Sequence, residues 1–273
     1  MRRNPFRAFA GALLDWIRIA GGREPADTRY ARLHARTLRR ACRLARTRSD
    51  WLRMVAASRM APGLDERVVE LPWVYERLAA GRGGGLVDIG STLNSEFHIR
   101  YLTSRFTSVT YLNPYRDDGY RSTVPGVSYL ARDARAPGLP SGSVEFMTCI
   151  SVLEHMGCDN TRYGGPSGNP IPGADPDRAR SEAMQALRGV LAPGASLLLT
   201  VPYGCREDHG WFVQLDGRAL DEALAAFSPS GADATFFLYD GGWRVAGQVE
   251  CESARYGERT RGASAVACVE LKV

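Results

Sequence analysis

The sequence predicts an α/β fold in which a doubly wound, mostly parallel sheet carries helices on both faces. Short apolar runs recur along the chain after residue 80, and segments of helical periodicity separate them. One of these runs, Leu86–Ile89, passes directly into Gly90, as the first strand of such a sheet does. Another run, Ser196–Val201, is continuously strand-like and almost wholly apolar, which is typical of a buried parallel strand.

The residues before the sheet are predicted to form a helical extension (residues 1–80) to the α/β domain (residues 81–273). The segment from Arg29 to Arg59 is rich in arginine and contains no glycine or proline, so one long amphipathic helix is expected there. Its arginines either face solvent on a helix that packs on the core, or contact an anionic membrane surface or nucleic acid. A second helix is expected over Pro72–Ala80, with proline in its first turn.

The amino-terminal segment Phe6–Ile19 contains several apolar residues. Arg7, Asp15 and Arg18 interrupt it, and no small-residue cleavage site follows, so we do not interpret it as a signal peptide. No apolar stretch is long enough to span a membrane. These observations favour a cytoplasmic protein, and they leave its oligomeric state open.

The 273 residues include six scattered cysteines, with no CxxC pair, and the formal net charge is +5. Cys149 and Cys268 lie in apolar, strand-like runs, so buried free thiols in a reducing compartment are expected. A disulfide-stabilised secreted domain is therefore disfavoured.

The elements of the α/β domain are predicted in chain order from the same patterns. After the first strand, the predicted helices are Glu96–Arg105, Ser181–Leu191 and Arg218–Phe227. The predicted strands are Thr107–Leu112, Val127–Leu130, Val144–Ile150, Ser196–Val201, Thr235–Tyr239 and Ala263–Val273. Strands that alternate with helices in this way indicate a parallel sheet.

Four motifs in this order resemble those of class I S-adenosylmethionine-dependent methyltransferases. They are Leu86–Gly90, Asp133 ahead of LPSGSVEF, CISVLEHMG, and LRGVLAPGASLLLTVPYG, within residues 71–204, roughly half the chain. The resemblance implies a Rossmann-like, seven-stranded sheet that ends in an antiparallel pair, with S-adenosyl-L-methionine as the cofactor. The stretch SVLEHMG…TRYGG…VPYG is also similar to a subgroup associated with glycan or sugar modification.

The resemblance places the methionine part of the cofactor at the turn after the first strand. It implies that Asp88 and Gly90 contact this part, together with Ser91 and Asn94 of the following loop. Thr92 and Asn94 stand where glycines usually lie in the family. Asp88 could instead satisfy the backbone of the turn.

The resemblance places the nucleoside at the ends of the next strands. Asp133 and the main chain of Ala134 are expected at the adenine edge, where a carboxylate accepts from an amine. Asn113 stands in place of the acidic residue that pairs with the ribose hydroxyls, and Ser151 joins the cofactor site at the end of the fourth strand. Asn113 and Asp133 could also be ordinary turn residues.

His155 is the candidate catalytic base, because an imidazole directly after the fourth strand could remove a proton from a hydroxyl. A structural role, in which the ring bonds loop backbone, remains open for it. Glu154 is expected to accept from backbone N–H groups. The candidate acceptor contacts are Arg162 and Tyr163 in the long loop 157–177, and Tyr203 and His209 in a second loop. No metal site is predicted.

The sequence therefore predicts a methyltransferase of glycan or natural-product biosynthesis that acts on a small-molecule or glycan acceptor, at oxygen rather than nitrogen. One alternative is a non-catalytic binding or partner subunit with the same fold, which the glycine-poor turn motivates. Another is a nucleic-acid methyltransferase that uses the arginine-rich helix. Against this last alternative, the run Cys149–Val152 does not resemble the NPPY-type tetrad against which a flipped base stacks.

Overall fold

The structure, a computed structural model, describes residues 28–48, 50–81, 83–115, 122–165 and 175–273. A central sheet with helices on both faces accounts for most of these residues. The segment Phe6–Ile19, considered above as a signal peptide, lies outside the described residues.

Within the described residues, three helices precede the sheet: α1 (Thr28–Ala45), α2 (Trp51–Ala56) and α3 (Arg67–Leu78). The prediction of one long helix from Arg29 to Arg59 is therefore wrong. The Thr47 hydroxyl donates to the carbonyl of Arg43 at 2.9 Å, satisfies an otherwise unpaired group of the last turn, and so helps to end α1. The second helix begins well ahead of Pro72, which lies inside it.

The strands are β1 (Gly85–Ile89), β2 (Ser108–Leu112), β3 (Val127–Leu130), β4 (Val144–Ile150), β5 (Leu191–Pro202), β6 (Glu207–Asp208), β7 (Val213–Gln214), β8 (Gly231–Tyr239), β9 (Trp243–Ala246) and β10 (Ala265–Lys272). The main sheet has the order β3-β2-β1-β4-β5-β10-β8-β9, and β6 and β7 form a separate ribbon. β1 to β5 pair in parallel, and β10 inserts antiparallel between β5 and β8. The predicted fold class is confirmed, with eight strands instead of seven because the short β9 extends the edge.

The remaining helices are α4 (Glu96–Leu102), α5 (Pro176–Val190), α6 (Gly217–Phe227) and α7 (Gln248–Cys251). Short 3₁₀ turns cover Leu153–His155 and Thr161–Tyr163.

Each face of the sheet has its own hydrophobic core. Leu197 and Leu199 of β5 face the core that α5 and α6 cover, whereas Leu198 faces the core under α1 to α4. This alternation is the period of a strand. Because Trp51 and Trp73 belong to the second core, the amino-terminal helices pack directly on the sheet. The division of the chain into residues 1–80 and 81–273 stays a prediction.

Two further observations concern buried side chains. The six cysteines are free, and Cys149 and Cys268 are buried, as predicted. Trp243 is fully buried in the edge strand β9, where its indole N–H donates to the Leu64 carbonyl at 2.9 Å. In the part of the chain that the structure describes, no helix is long and apolar enough to cross a membrane.

Candidate active site

A cavity of about 240 Å³ lies at the carboxyl ends of β1, β2 and β4. β1 pairs with β2 on one side and with β4 on the other, so the strand order reverses at this point, where open α/β sheets bind ligands. Seven residues predicted for the site line it: Gly90, Asn113, Asp133, Ala134, Ser151, His155 and Tyr163. The fold therefore brings together residues of the first three motifs, with Asn113 and Tyr163 from outside them.

The turn after β1 requires glycine at its first position. Gly90 has a φ of +83°, and a Cβ there would lie 2.3 Å from Cγ2 of Val152. Ser91 follows with a φ of +62°, a left-handed conformation that a glycine would adopt without strain. The Thr92 hydroxyl donates to the carbonyl of Ile150 at 3.0 Å, so the loop is attached to the end of β4.

Asp88 lies beneath this turn and outside the cavity wall. Its carboxylate accepts from the backbone N–H of Leu93 and from the Thr148 hydroxyl, both at 2.7 Å. Burial raises the pKa of the Asp88 carboxyl to about 7, although the bond from Thr148 acts in the opposite direction. Asp88 therefore shapes the turn from below, which is the alternative role that the sequence left open for it.

Two other predicted cofactor residues also lie off the wall. Within the turn, the Ser91 carbonyl accepts from the N–H of Asn94 at 3.1 Å, and the Asn94 side chain accepts from the Tyr129 hydroxyl at 3.0 Å. These bonds close the turn and attach it to β3, and the cofactor contacts of Ser91 and Asn94 stay predictions.

Asn113 and Asp133 are on the wall, and both use part of their side chain locally. The Asn113 carbonyl accepts from the N–H of Tyr115 at 3.0 Å, while its amide nitrogen has no protein partner among the described residues. Asp133 accepts from Nε and Nη2 of Arg135 at 3.0 and 2.8 Å. Burial raises the pKa of the Asp133 carboxyl, but these bonds outweigh that effect and hold it below its ordinary value.

His155 has a defined orientation in the wall. Its Nδ1 lies 2.8 Å from the carbonyl oxygen of Trp211, and because a carbonyl can only accept, Nδ1 carries the proton. Nε2 therefore carries the lone pair. Burial lowers the pKa of His155 to about 4, so the ring is neutral near pH 7. This arrangement satisfies the loop backbone and at the same time leaves a base, so the structure is compatible with both roles left open above.

Two charged residues of α3 belong to the site and were missed by the sequence interpretation. Arg67 lines the cavity, and Glu70, one turn further along, is fully buried beneath it. A glutamate inside the apolar run VVELPWV was the signal that could have revealed them, because a buried charge needs a partner.

Glu154 meets its predicted role only in part. The side chain is 2% exposed and its carboxyl group accepts from a backbone N–H, but Oε2 has no hydrogen-bond partner among the described residues. Burial raises the pKa of the Glu154 carboxyl to about 8. A protonated carboxyl at this place removes the cost of an unpaired buried charge.

The candidate acceptor residues separate in the structure. Tyr163 is half-exposed and on the cavity wall, with its ring 5.1 Å from that of His155. Arg162 lies over the ring of Trp211 at 4.4 Å, off the wall. Tyr203 is fully buried and accepts from Gln248, so it lies in the core rather than in the cavity. His209 is the remaining candidate and is also off the wall. Its ring stacks on that of Phe212, with the ring centroids 4.5 Å apart.

The arginines of α1 form a surface of their own. Arg36, Arg40 and Arg43 are exposed and border a shallow groove that shares no lining residue with the cavity. Contact of residues 29–59 with an anionic surface and a cytoplasmic location stay predictions. In the part of the chain described here, no group of three potential metal ligands is found.

Comparisons with known proteins give similarities of fold. No family model and no curated protein matches the sequence. Phosphoethanolamine N-methyltransferase 2 of Haemonchus contortus, solved with S-adenosyl-L-methionine, is similar over 56% of this chain at 13% identity and a TM-score of 0.38. The matched region spans only 35% of that protein.

Two further solved structures match more of their own length. The N-methyltransferase NodS of Bradyrhizobium japonicum matches over 71% of this chain and 88% of its own, at 12% identity and a TM-score of 0.43. A putative methyltransferase in complex with the Haloferax volcanii activator Trm112 matches over 70% and 82%, at 14% identity and a TM-score of 0.42. At these identities the likeness is one of fold.

Proposed function

We propose that this chain is an S-adenosylmethionine-dependent methyltransferase. The observation that carries the proposal is that one cavity collects the Gly90 turn, Asn113, the Asp133–Ala134 pair and the Ser151–His155 segment. The sequence motifs had assigned these residues separately to the methionine part, the ribose, the adenine and the reaction. A common wall at the switch point of the sheet is what such a set of roles requires.

The wall residues fit the chemical groups of this cofactor. The amide nitrogen of Asn113, which has no partner among the described residues, is a donor for ribose hydroxyl oxygens. Asp133 stays ionised and can accept from the adenine amine with the lone pairs that Arg135 leaves free. When bound, S-adenosylmethionine supplies an electrophilic methyl group on a positively charged sulfur.

We further propose a hydroxyl acceptor on a small molecule or glycan, within glycan or natural-product biosynthesis. His155 supports this choice, because its Nε2 lone pair can take the proton that a hydroxyl loses. Tyr163 and Trp211 flank the imidazole with ring centroids at 5.1 and 5.3 Å. Tyr163, which lies on the cavity wall, provides a ring surface against which an acceptor can be oriented.

Titration calorimetry with S-adenosylmethionine tests the proposal. We expect the wild-type chain to bind, and Asp133→Ala to bind about 10- to 100-fold more weakly, since a charged hydrogen-bond partner is lost. Asp233→Ala is the matched control, because Asp233 is exposed on β8 and outside the cavity. No heat at high micromolar cofactor contradicts the enzyme and favours the non-catalytic subunit.

A further inference from the structure

Arg67 is a cationic side chain on the cavity wall that none of the roles above uses. It is the first residue of α3, and it lies on the same wall as Gly90, Ser151 and His155. About a third of its side chain (31%) remains accessible, and the cavity provides the access.

Glu70 holds this arginine in place. Its Oε2 accepts from Nη1 of Arg67 at 2.9 Å. Its Oε1 accepts from the hydroxyls of Ser151 and Thr200, at 2.7 and 2.8 Å. Three donors therefore fix the carboxylate, and the carboxylate in turn fixes the guanidinium. Ser151 itself adopts a left-handed backbone conformation, with a φ of +48°.

The guanidinium is only partly satisfied by the protein. Among the described residues Nη1 alone has a partner, so Nε and Nη2 keep their N–H donors. A planar guanidinium with donors to spare matches the two oxygens of a carboxylate. Buried ion pairs add little net stability, so a supported arginine that faces a cavity suits ligand binding better than folding.

Two other acids lie near Arg67 without pairing with it. Glu66 instead accepts from the N–H of Ala263 at 3.0 Å, and Glu154 has an unpaired Oε2. Burial raises the pKa of both carboxyls to about 8, so near neutral pH they do not compete for the guanidinium. A third acid, Asp65, also acts on the charge of Arg67, but its carboxylate is bonded to Tyr30 and His34. Among the described residues, Glu70 is the only carboxylate that pairs with the guanidinium, so Nε and Nη2 can bind a further carboxylate.

We propose that Arg67 binds a carboxylate of a ligand in this cavity. This inference rests on the proposed function. The carboxylate has two candidate sources: the amino-acid part of the cofactor, or an anionic acceptor. Arg67 lines the same cavity as the Gly90 turn and His155, and its charge acts on Asp88 and His155, so both sources are open to it.

The first experiment compares three nucleosides by calorimetry on wild type and Arg67→Met. S-adenosylmethionine and S-adenosylhomocysteine carry the carboxylate, and 5′-methylthioadenosine lacks it. If the cofactor is the source, Arg67→Met weakens the binding of S-adenosylmethionine and S-adenosylhomocysteine by about 10-fold or more. The affinity for 5′-methylthioadenosine then changes by no more than about twofold. The control Arg135→Met changes the same cavity near Asp133 and does not separate the three ligands in this way.

The second experiment applies if Arg67→Met leaves all three affinities unchanged. Acetate is then titrated into protein saturated with S-adenosylhomocysteine and followed by NMR shifts. Binding to wild type and not to the variant assigns Arg67 to an anionic acceptor. If Arg67→Met has no effect in both experiments, the inference is overturned.

Two precautions keep the result interpretable. Arg67→Met leaves Glu70 without its cation, so unfolding is measured in parallel, and Arg67→Lys provides a variant that keeps the charge and loses the planar fork. We expect this second variant to weaken carboxylate binding several-fold. If wild type binds none of the nucleosides, the proposed function fails, and the acetate titration on the free protein still tests Arg67 separately.

Discussion

The Ser151 hydroxyl donates a hydrogen bond of 2.7 Å to the buried carboxylate of Glu70. This bond joins the end of β4 to α3, a helix that lies before the first strand in the sequence. α3 therefore contributes Arg67 to the wall of the cavity, and the geometry at the end of β4 depends on this helix.

Replacing Glu70 by alanine should destabilise the fold strongly. The change leaves Arg67 without its counterion and removes the acceptor for two hydroxyls, and breaking a buried pair in this way costs about 3–5 kcal/mol. Urea unfolding measures the loss. Glu96→Ala is the control, since Glu96 forms an exposed pair with Arg100 on α4 and such pairs contribute little. Equal losses in the two variants would contradict this account of Glu70.

Replacing Gly90 by alanine should destabilise the fold and abolish cofactor binding. The new Cβ would lie 2.3 Å from Val152, and the residue has a φ of +83°. Gly142→Ala separates the two causes, because Gly142 has a φ of +65° and no atom within 4 Å of the added Cβ. Gly142→Ala should lower the free energy of unfolding by about 1–2 kcal/mol, because only its backbone conformation is strained. Denaturant unfolding and calorimetry of both variants check this, and a matching loss at the two sites would argue against the steric contact.

Strand patterns and the glycine turn were predictable because their signals are local. β3 and β4 begin and end at the predicted residues, since each is an apolar or β-branched run between turn residues. The wall residues Asn113 and Asp133 followed from the family resemblance, which assigns the residues at these strand ends to the nucleoside.

The start of α3 was not predictable in the same way. Pro72 is a plausible first-turn residue, so the pattern favoured a helix that begins there and excluded Arg67 and Glu70. Partners that are 81 and 130 residues further along, Ser151 and Thr200, stabilise the buried Glu70. A local pattern contains no information about such contacts, and this is why Arg67 and Glu70 were missed.

Stability should depend on pH through Glu154. Its folded pKa, about 8, is above its ordinary value of 4.5 because the side chain is buried. Between these values the folded state holds a proton that the unfolded state releases, so the free energy of unfolding falls as pH rises, by at most about 1.4 kcal/mol per pH unit.

Glu154→Gln tests this dependence, because glutamine keeps the shape and cannot ionise. The difference in stability between variant and wild type is measured by urea unfolding at pH 5 and pH 8. This difference should be more favourable to the variant at pH 8. Glu66, whose pKa is also raised to about 8, should preserve part of the slope in the variant. The control Glu222→Gln changes an exposed residue of α6. In this variant the free energy of unfolding should depend on pH as it does in wild type. An unchanged slope in Glu154→Gln would show that this carboxyl is ionised in the fold.

His155 should remain a neutral ring protonated at Nδ1 throughout the neutral range. The Trp211 carbonyl, 2.8 Å from Nδ1, fixes this tautomer, and burial lowers the pKa from its ordinary value of 6.5 to about 4. Correlation spectra of the ring ¹⁵N nuclei, assigned by the signal that His155→Gln removes, should show the Nδ1–H form without titration down to about pH 5. Because the unfolded histidine takes up a proton below its ordinary pKa, the same residue should reduce stability as pH falls from 6.5 towards 4. A ring that titrates near 6.5 would contradict the lowered pKa, and a ring protonated at Nε2 would lack the lone pair on which its role as a base depends.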